Sequence, residues 1–307
     1  MQALLDAIAA MVTVPRDTQR LFHGRGGRFP GCEHLALDAY PPVLLLTSFE
    51  PLVDDALGRI GTALAARWRD IAPEDEALNW VYQCRGTHAE TRLMAGSVPE
   101  PHVVPEAGTR YVVHLLRGQN HGLFLDMAAG RAWARAHVQP GAKVLNLFAY
   151  TCAFSVVALQ AGAREVVNVD MASGALAIGR TNHELNGVKA GARFLAHDIF
   201  NSWGKLTRGG PYDLVICDPP SFQKGSFIAT KDYARLAKRL PTLLAPGGQA
   251  LLCLNAPELG EAFLRDVVAE HAPQVQFIER VANPAVFEDV SPDRSLKVLA
   301  YRLQGSS

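Results

Sequence analysis

At 307 residues with 49% hydrophobic side chains, the chain can bury the core of one large α/β domain plus a smaller one, so disorder is excluded as the default. Thirty Lys+Arg balance thirty Asp+Glu, which excludes overall attraction to nucleic acid and leaves only local basic patches for that purpose. No apolar run approaches the ~20 residues of a membrane span; five dispersed cysteines without a CxxC predict reduced thiols in a cytoplasm, with neither disulfides nor a zinc site.

Met1 to Asp17 has no basic leader, and Asp6 interrupts its short apolar stretch, so a signal peptide is not expected. Apolar residues recur at helical spacing over 3–12, and Arg20 to Leu46 alternates short apolar runs with Gly and Pro, predicting small strands and turns. Val53 to Trp68 reads as an amphipathic helix, Leu78 to Gln83 and Tyr111 to Leu116 as strands. Residues 1–120 are therefore expected to form a small α+β domain, with Ser97 to Gly108 as the candidate linker. His23-Gly24-Arg25-Gly26-Gly27-Arg28 has the glycine content of a phosphate loop, but it neither follows a clear strand nor opens a helix, and a turn is the expected reading.

From Ala128 apolar strands alternate with helical segments, the pattern of a parallel sheet covered on both faces. Strands are predicted at Lys143 to Phe148, Glu165 to Asp170, Arg193 to Ala196, Tyr212 to Cys217 and Gln249 to Leu254. Helices fall at Ala153 to Ala161, Ser173 to Leu185 with Ser173 as N-cap and Gly187 past its end, Thr230 to Leu244, and Glu258 to His271. Gln274 to Val281 and Leu296 to Leu303 are joined by a loop too short for a covering helix and should pair antiparallel. Sheets of methyltransferases end in such a pair, whereas nicotinamide-binding sheets usually do not.

In a doubly wound sheet the ligand lies across the carboxyl ends of the strands, beside the loop after the first one. That loop, Asn146 to Phe154, has no glycine, so a pyrophosphate could not approach its backbone, whereas S-adenosylmethionine carries no phosphate to accommodate. Asp170 ends the second strand near the ~20-residue offset at which a carboxylate accepts ribose hydroxyls, and Asp198 ends the third, where it could accept from the adenine amino group. A capping or surface role is open for either acid alone. Asp218-Pro219-Pro220-Ser221-Phe222 follows the fourth strand: the two prolines remove backbone donors and leave a stiff cluster of acceptors, with Phe222 as a stacking face, or else simply a rigid turn.

Asp-Pro-Pro-Ser-Phe, together with Val-Leu-Asn-Leu-Phe-Ala-Tyr-Thr at 144–151 and His-Gly-Leu-Phe-Leu-Asp at 121–126, resembles bacterial large-subunit ribosomal RNA methyltransferases, a group with cytosine-C5 and guanine-N7 members. The resemblance runs from about Arg20 to the C-terminus; Arg20-Leu21-Phe22-His23-Gly24 and Phe29-Pro30-Gly31 resemble that family's small domain, and a counterpart of its frequent PUA module is not expected. It implies a Rossmann-like class I methyltransferase domain over 121–307, with S-adenosylmethionine as cofactor and RNA, 23S rRNA or a ribosomal particle, as partner. It also implies that Phe124, Leu125 and Asp126 lie over the cofactor, that Asn146, Tyr150 and Thr151 line it, that Asp170 and Asp198 hold ribose and adenine, and that Asp218 lies between methyl donor and target. Cys152 and Ala153 depart from the family's small Gly/Ser pair.

Cytosine C5 becomes nucleophilic only after a thiolate adds to C6. The family's C5 members carry that cysteine after the fifth strand, where this chain has Asn255; Cys253 and Cys217 fall inside strands, so a base nitrogen is the favoured target. Lys224, with Lys231, Arg235 and Arg239 at i, i+4 and i+8, is the candidate RNA face, a solvated basic surface being the alternative. The ten histidines show no ligand spacing, and no metal is predicted.

Overall fold

The computed structural model describes residues 1–220 and 227–305, and of 222–223 the backbone. It divides into two compact units, Met1–Leu125 with Pro284–Ser291, and Asp126–Asn283 with Pro292 onward. No helix among the described residues is long and apolar enough to cross a membrane.

The first unit holds α1 (Gln2–Ala9), β1 (Gln19–His23), β2 (Leu35–Tyr40), β3 (Val43–Ser48), α2 (Asp54–Ile71), β4 (Asn79–Cys84), β5 (Glu90–Ala95), β6 (His102–Glu106) and β7 (Thr109–Val113). Its five-stranded sheet runs β1-β2-β3-β4-β5. Only β3 and β4 are parallel, because only they are joined by a helical crossover, α2. Alternate residues Leu35, Leu37, Leu44, Leu46, Trp80 and Tyr82 face one core, into which α1 sends Leu4 and Ile8 and α2 sends Leu57, Ile60, Leu64 and Trp68. The opposite parity brings buried Asp38, Thr47 and Gln83 to the sheet's second face. The expected linker, 97–108, instead contains β6, hydrogen-bonded to β7 from His102↔Val113 to Glu106↔Thr109. Pro105 is tolerated because the pair has only two strands, so a residue that lacks an N–H can sit at an outer edge, where its carbonyl accepts the Thr18 N–H at 2.8 Å.

The second unit contains α3 (Ala128–His137), β8 (Lys143–Leu147), α4 (Ala153–Gln160), β9 (Glu165–Asp170), α5 (Ser173–Leu185), β10 (Ala192–Ala196), α6 (Trp203–Gly209), β11 (Tyr212–Cys217), β12 (Phe222–Gln223) and β13 (Phe227–Ile228). It continues through α7 (Ala229–Ala237), α8 (Leu240–Leu243), β14 (Leu244–Leu254), α9 (Glu261–His271), β15 (Val275–Arg280) and β16 (Lys297–Leu303). The seven-stranded sheet runs β10-β9-β8-β11-β14-β16-β15. Five strands are parallel, and β16 lies antiparallel between β14 and β15, the terminal pairing expected from the short polar connection. The strands are apolar at both parities because both faces are covered. Leu145, Leu147, Val215, Cys217, Ala250 and Leu252 face a core with α6 to α9, and Val144, Leu214, Ile216, Leu251 and Cys253 face one with α3 and α4.

Two expectations need correction. Ala172, not Ser173, is the N-cap of α5, because Asp170 Oδ1 accepts the Ala172 N–H at 2.8 Å and turns the chain one residue earlier. The helix expected over 230–244 stops at Ala237, since a Pro241 ring would collide with the Ala237 carbonyl; the chain restarts as the single turn α8 and then enters β14.

Candidate active site

Parallel strands share a direction, so the loops after β8, β9, β10, β11 and β14 gather along one edge of the sheet, and the reversal of strand order between β8 and β11 opens a crevice there. Register aligns the strand ends: Leu147 pairs with Val169 and with Cys217, Ala196 with Asp170, and Cys217 with Leu252.

The loop leaving β8 is strained. Phe148, Tyr150 and Cys152 have φ of 56°, 46° and 61°, left-handed values that cost a side-chain-bearing residue about 1–2 kcal/mol each. Tertiary bonds hold it: Ala149 N–H donates to Val169 O at 3.1 Å, Tyr150 N–H to Asp170 Oδ2 at 2.8 Å, and Asn182 Nδ2 to Thr151 O at 3.0 Å. Cys152 is seated against Gly179 of α5, where a Cβ would stand 2.6 Å from its Sγ. The departure from a Gly/Ser pair at 152 is thus matched by a glycine on the facing helix.

Half-buried Asp170 accepts the N–H groups of Tyr150 and Ala172, one on each oxygen, and each oxygen keeps a second lone pair for a ligand hydroxyl. Asp198 is held likewise, with Phe200 N–H on Oδ1 and Asn201 Nδ2 on Oδ2, both at 2.7 Å. Asp218 follows β11 directly. Burial and the nearby Asp126 carboxylate push its pKa up to about 7, against the lowering influence of the Arg131 guanidinium. Pro219 after it is buried and Pro220 half-buried. Asn255 is exposed one residue past β14. The buried Lys297 ammonium donates to Ala256 O at 2.7 Å and Asp293 O at 2.8 Å, tethering that loop.

The structure thus brings Tyr150, Asp170, Asp198, Asp218 and Asn255 to one edge of the second unit's sheet. Two expected lining residues are buried. Asn146, 2% exposed, donates from Nδ2 to Asn168 Oδ1 at 2.9 Å inside the sheet, and Thr151 is 1% exposed. Phe124, 45% exposed, and buried Leu125 belong to the first unit, while Asp126 begins the second. Ser221, Lys224 and the Phe222 side chain lie outside the described residues; the Phe222 backbone pairs with Ile228. Lys231 and Arg235 are exposed on α7, and Arg239 lies beyond its end. Arg235 bonds Asp232 at 2.8 Å with its Cζ 3.9 Å from the Phe200 ring centre, and the Arg239 Cζ is 5.7 Å from that of Trp203.

Sequence reasoning missed Arg131, a 4%-exposed guanidinium on α3; its only signal was an Arg among small and apolar residues in the helix's first turn. It also missed the buried polar chain from Asn146 through Asn168 to Ser155 Oγ (2.9 Å) and on to His183 Nε2 (2.9 Å), which ties β8 and β9 to α4 and α5. The signal was an Asn in each of two apolar strands. All five cysteines are free and buried, Cys253 Sγ lying 3.9 Å from Met127 Sδ. Burial pushes the Cys217 and Cys253 thiols well up, with Asp218 adding to both.

A family model of S-adenosylmethionine-dependent methyltransferases matches residues 19–302. Ribosomal RNA large subunit methyltransferase I of Erwinia tasmaniensis is 32% identical over 286 residues, 88% of this chain and 69% of that protein. The protein of that name from Aeromonas hydrophila subsp. hydrophila is 31% identical over 252 residues, 79% of this chain and 62% of that protein. The chain thus spans about two thirds of the length of these curated relatives. A solved methyltransferase complexed with SAH has the same fold, with a TM-score of 0.81 at 24% identity, over 98% of this chain and 81% of that one.

Proposed function

The chain belongs to the S-adenosylmethionine-dependent methyltransferase family, and from that premise we propose that it methylates a base nitrogen, guanine N7 or an amino group, of large-subunit ribosomal RNA. The curated relatives' names support the RNA, and the state of the thiols carries the choice of atom. C5 chemistry needs a thiolate at the strand ends, and here Cys217 and Cys253 are buried within β11 and β14 with their pKa values raised, while the site-facing position after β14 is Asn255.

The residues fit the cofactor. Asp170 and Asp198, already fixed by amide donors, would accept the ribose hydroxyls and the adenine amino group, and the strained loop 148–152 would lie beside them. Bound there, S-adenosylmethionine supplies an electrophilic methyl group on a cationic sulfur. The acidic pair Asp126 and Asp218 favours positive charge at this edge, and buried Arg131 restrains their mutual repulsion. Asp218 and the carbonyls flanking Pro219 and Pro220 supply acceptors that orient the target base, and Asn255 supplies both an amide donor and an acceptor. A nitrogen lone pair so oriented needs no covalent help; the residues contribute chiefly position.

The test is transfer of labelled methyl to large-subunit rRNA from cells lacking the gene. Cys217→Ser and Cys253→Ser should stay active, with burial of a hydroxyl costing about 1–3 kcal/mol of stability, and Asp218→Ala should lose more than about tenfold in rate, or about 1.4 kcal/mol of transition-state stabilisation. Loss of turnover in Cys253→Ser with cofactor binding intact, or a covalent enzyme–RNA adduct through that residue, would replace the nitrogen assignment with cytosine C5.

A further inference from the structure

In the first unit three guanidiniums lie close to one another, two of them beside one buried carboxylate. Asp38 on β2, 4% exposed, takes Arg20 in a two-pronged pair, Nε to Oδ1 at 2.7 Å and Nη2 to Oδ2 at 3.0 Å. That pair satisfies Arg20. Arg25 and Arg85 converge instead on Phe49, with Cζ atoms 4.0 Å and 5.9 Å from its ring centre. Arg85 is partly buried; burial opposes its charge, Tyr40 and Asp38 favour it, and the neighbouring Arg20 and Arg25 oppose it. Its Nε donates to Gln83 Oε1 at 3.0 Å, and its Nη2 lies 3.5 Å from His121 Nδ1. An arginine can only donate, so Nδ1 is the acceptor and the ring hydrogen sits on Nε2. That Nε2 is buried and has no partner among the described residues, in a side chain 5% exposed.

An orphan buried donor costs about 1–3 kcal/mol, and like charges crowded in partial burial add to the cost. One anion would relieve both. The turn that presents Arg25 is rigid: it is flanked by Gly24 and Gly26, where a Cβ would stand 1.7 Å from Cys32 O and 2.2 Å from Glu288 O. Rigid donors lose little freedom when they close on an oxyanion. Arg25 of the first sequence motif and His121 of the second thus lie in this cluster, apart from the residues assigned to methyl transfer.

We propose that Arg25, Arg85 and His121 form an oxyanion site that takes a backbone phosphate of the RNA substrate. The assignment rests on the RNA reading above and deepens it by placing a substrate contact on the small unit. Guanidinium groups suit phosphate through paired N–H donors, and each phosphate contact carries a salt dependence.

The experiment measures binding of large-subunit rRNA by fluorescence anisotropy across a salt titration, for wild type, Arg25→Gln, Arg25→Gln/Arg85→Gln, and Arg59→Gln/Arg69→Gln. The last pair removes the same charge from exposed positions on α2. The site pair should weaken binding at least tenfold and flatten the plot of log K against log salt by about 0.7–0.9, the share of one phosphate contact, Arg25→Gln alone by less, and the α2 pair by neither. S-adenosylmethionine binding should be unchanged in all. Wild-type affinity and slope in both site variants, or an equal loss in the α2 pair, would overturn the site while RNA methylation by wild type stood. A wild type that methylates no RNA would instead remove the RNA reading. Calorimetry with inorganic phosphate is the second arm: phosphate binding abolished by Arg25→Gln, with RNA binding unaffected, would make this a site for a free anion and overturn the RNA assignment.

Discussion

Asp170, Asp198 and Asp218 look alike in the sequence, yet their surroundings separate them. The first two are bonded by amide donors, which turn their carboxylate oxygens into fixed acceptors. Asp218 is desolvated beside Asp126, and its carboxyl titrates near pH 7. A pKa raised in the folded protein means that folding favours the protonated acid, a contribution present below about pH 4 and lost as pH climbs through 7. Cofactor binding runs the other way, because a cationic sulfonium favours the carboxylate. Affinity for S-adenosylmethionine should therefore rise between pH 6 and pH 8, about tenfold for each unit by which binding lowers that pKa. Asp218→Asn should remove the rise and raise Tm most at pH 8, less at pH 5, leaving it nearly unchanged only below about pH 4. Calorimetry and thermal melts across that range decide it, and an equally steep affinity profile in Asp218→Asn would place the titration on another group.

The loop after β8 shows how an element without glycine can adopt a glycine-like path. Its three left-handed residues are sustained from outside, by Asp170, by Asn182 and by the seat that Gly179 leaves for Cys152. Alanine ordinarily favours a helix over glycine by about 1 kcal/mol. At 179 the added methyl meets Cys152 Sγ at 2.6 Å, and overpacking of this kind costs about 1–3 kcal/mol. Gly179→Ala should therefore lower Tm and weaken cofactor binding, and Cys152→Gly should restore much of both in the double variant; additive losses in a double-mutant cycle would show that the two sites are not coupled. Sequence periodicity exposed the strands of the second unit because apolar residues at both parities need no partner to be recognised. It could not expose features created by a partner. Nothing in the sequence marks Gly179 as the seat of Cys152, Arg131 as a charge acting on Asp218, or Asn168 as the partner of Asn146. The α7 break was legible in Pro241 itself, and β6 was hidden by the Pro and Gly residues that made its segment resemble a linker.

At the scale of the whole molecule, zero net charge means that any anionic polymer must be held by patches. Lys231, Arg235 and Arg239 are proposed as one, and their setting in the structure changes the argument for them. They are not three successive turns of one helix, because α7 ends before Arg239, and Asp232 offsets part of the charge of Arg235. What recommends them is that Arg235 and Arg239 are exposed while resting on Phe200 and Trp203. A guanidinium stacked on a ring is held in place, keeps its N–H edge for a phosphate and loses less freedom on binding than a solvated one. The Lys231→Ala/Arg235→Ala/Arg239→Ala variant should consequently bind large-subunit rRNA about tenfold or more weakly, with the salt slope reduced by up to about 2. Cofactor affinity measured alongside must stay within twofold, since Phe200 follows the Asp198 turn and a collapse there would weaken both ligands together. If RNA affinity and slope match the wild type while the fold is retained, the three residues are a solvated face whose aromatic contacts serve only the packing of α7.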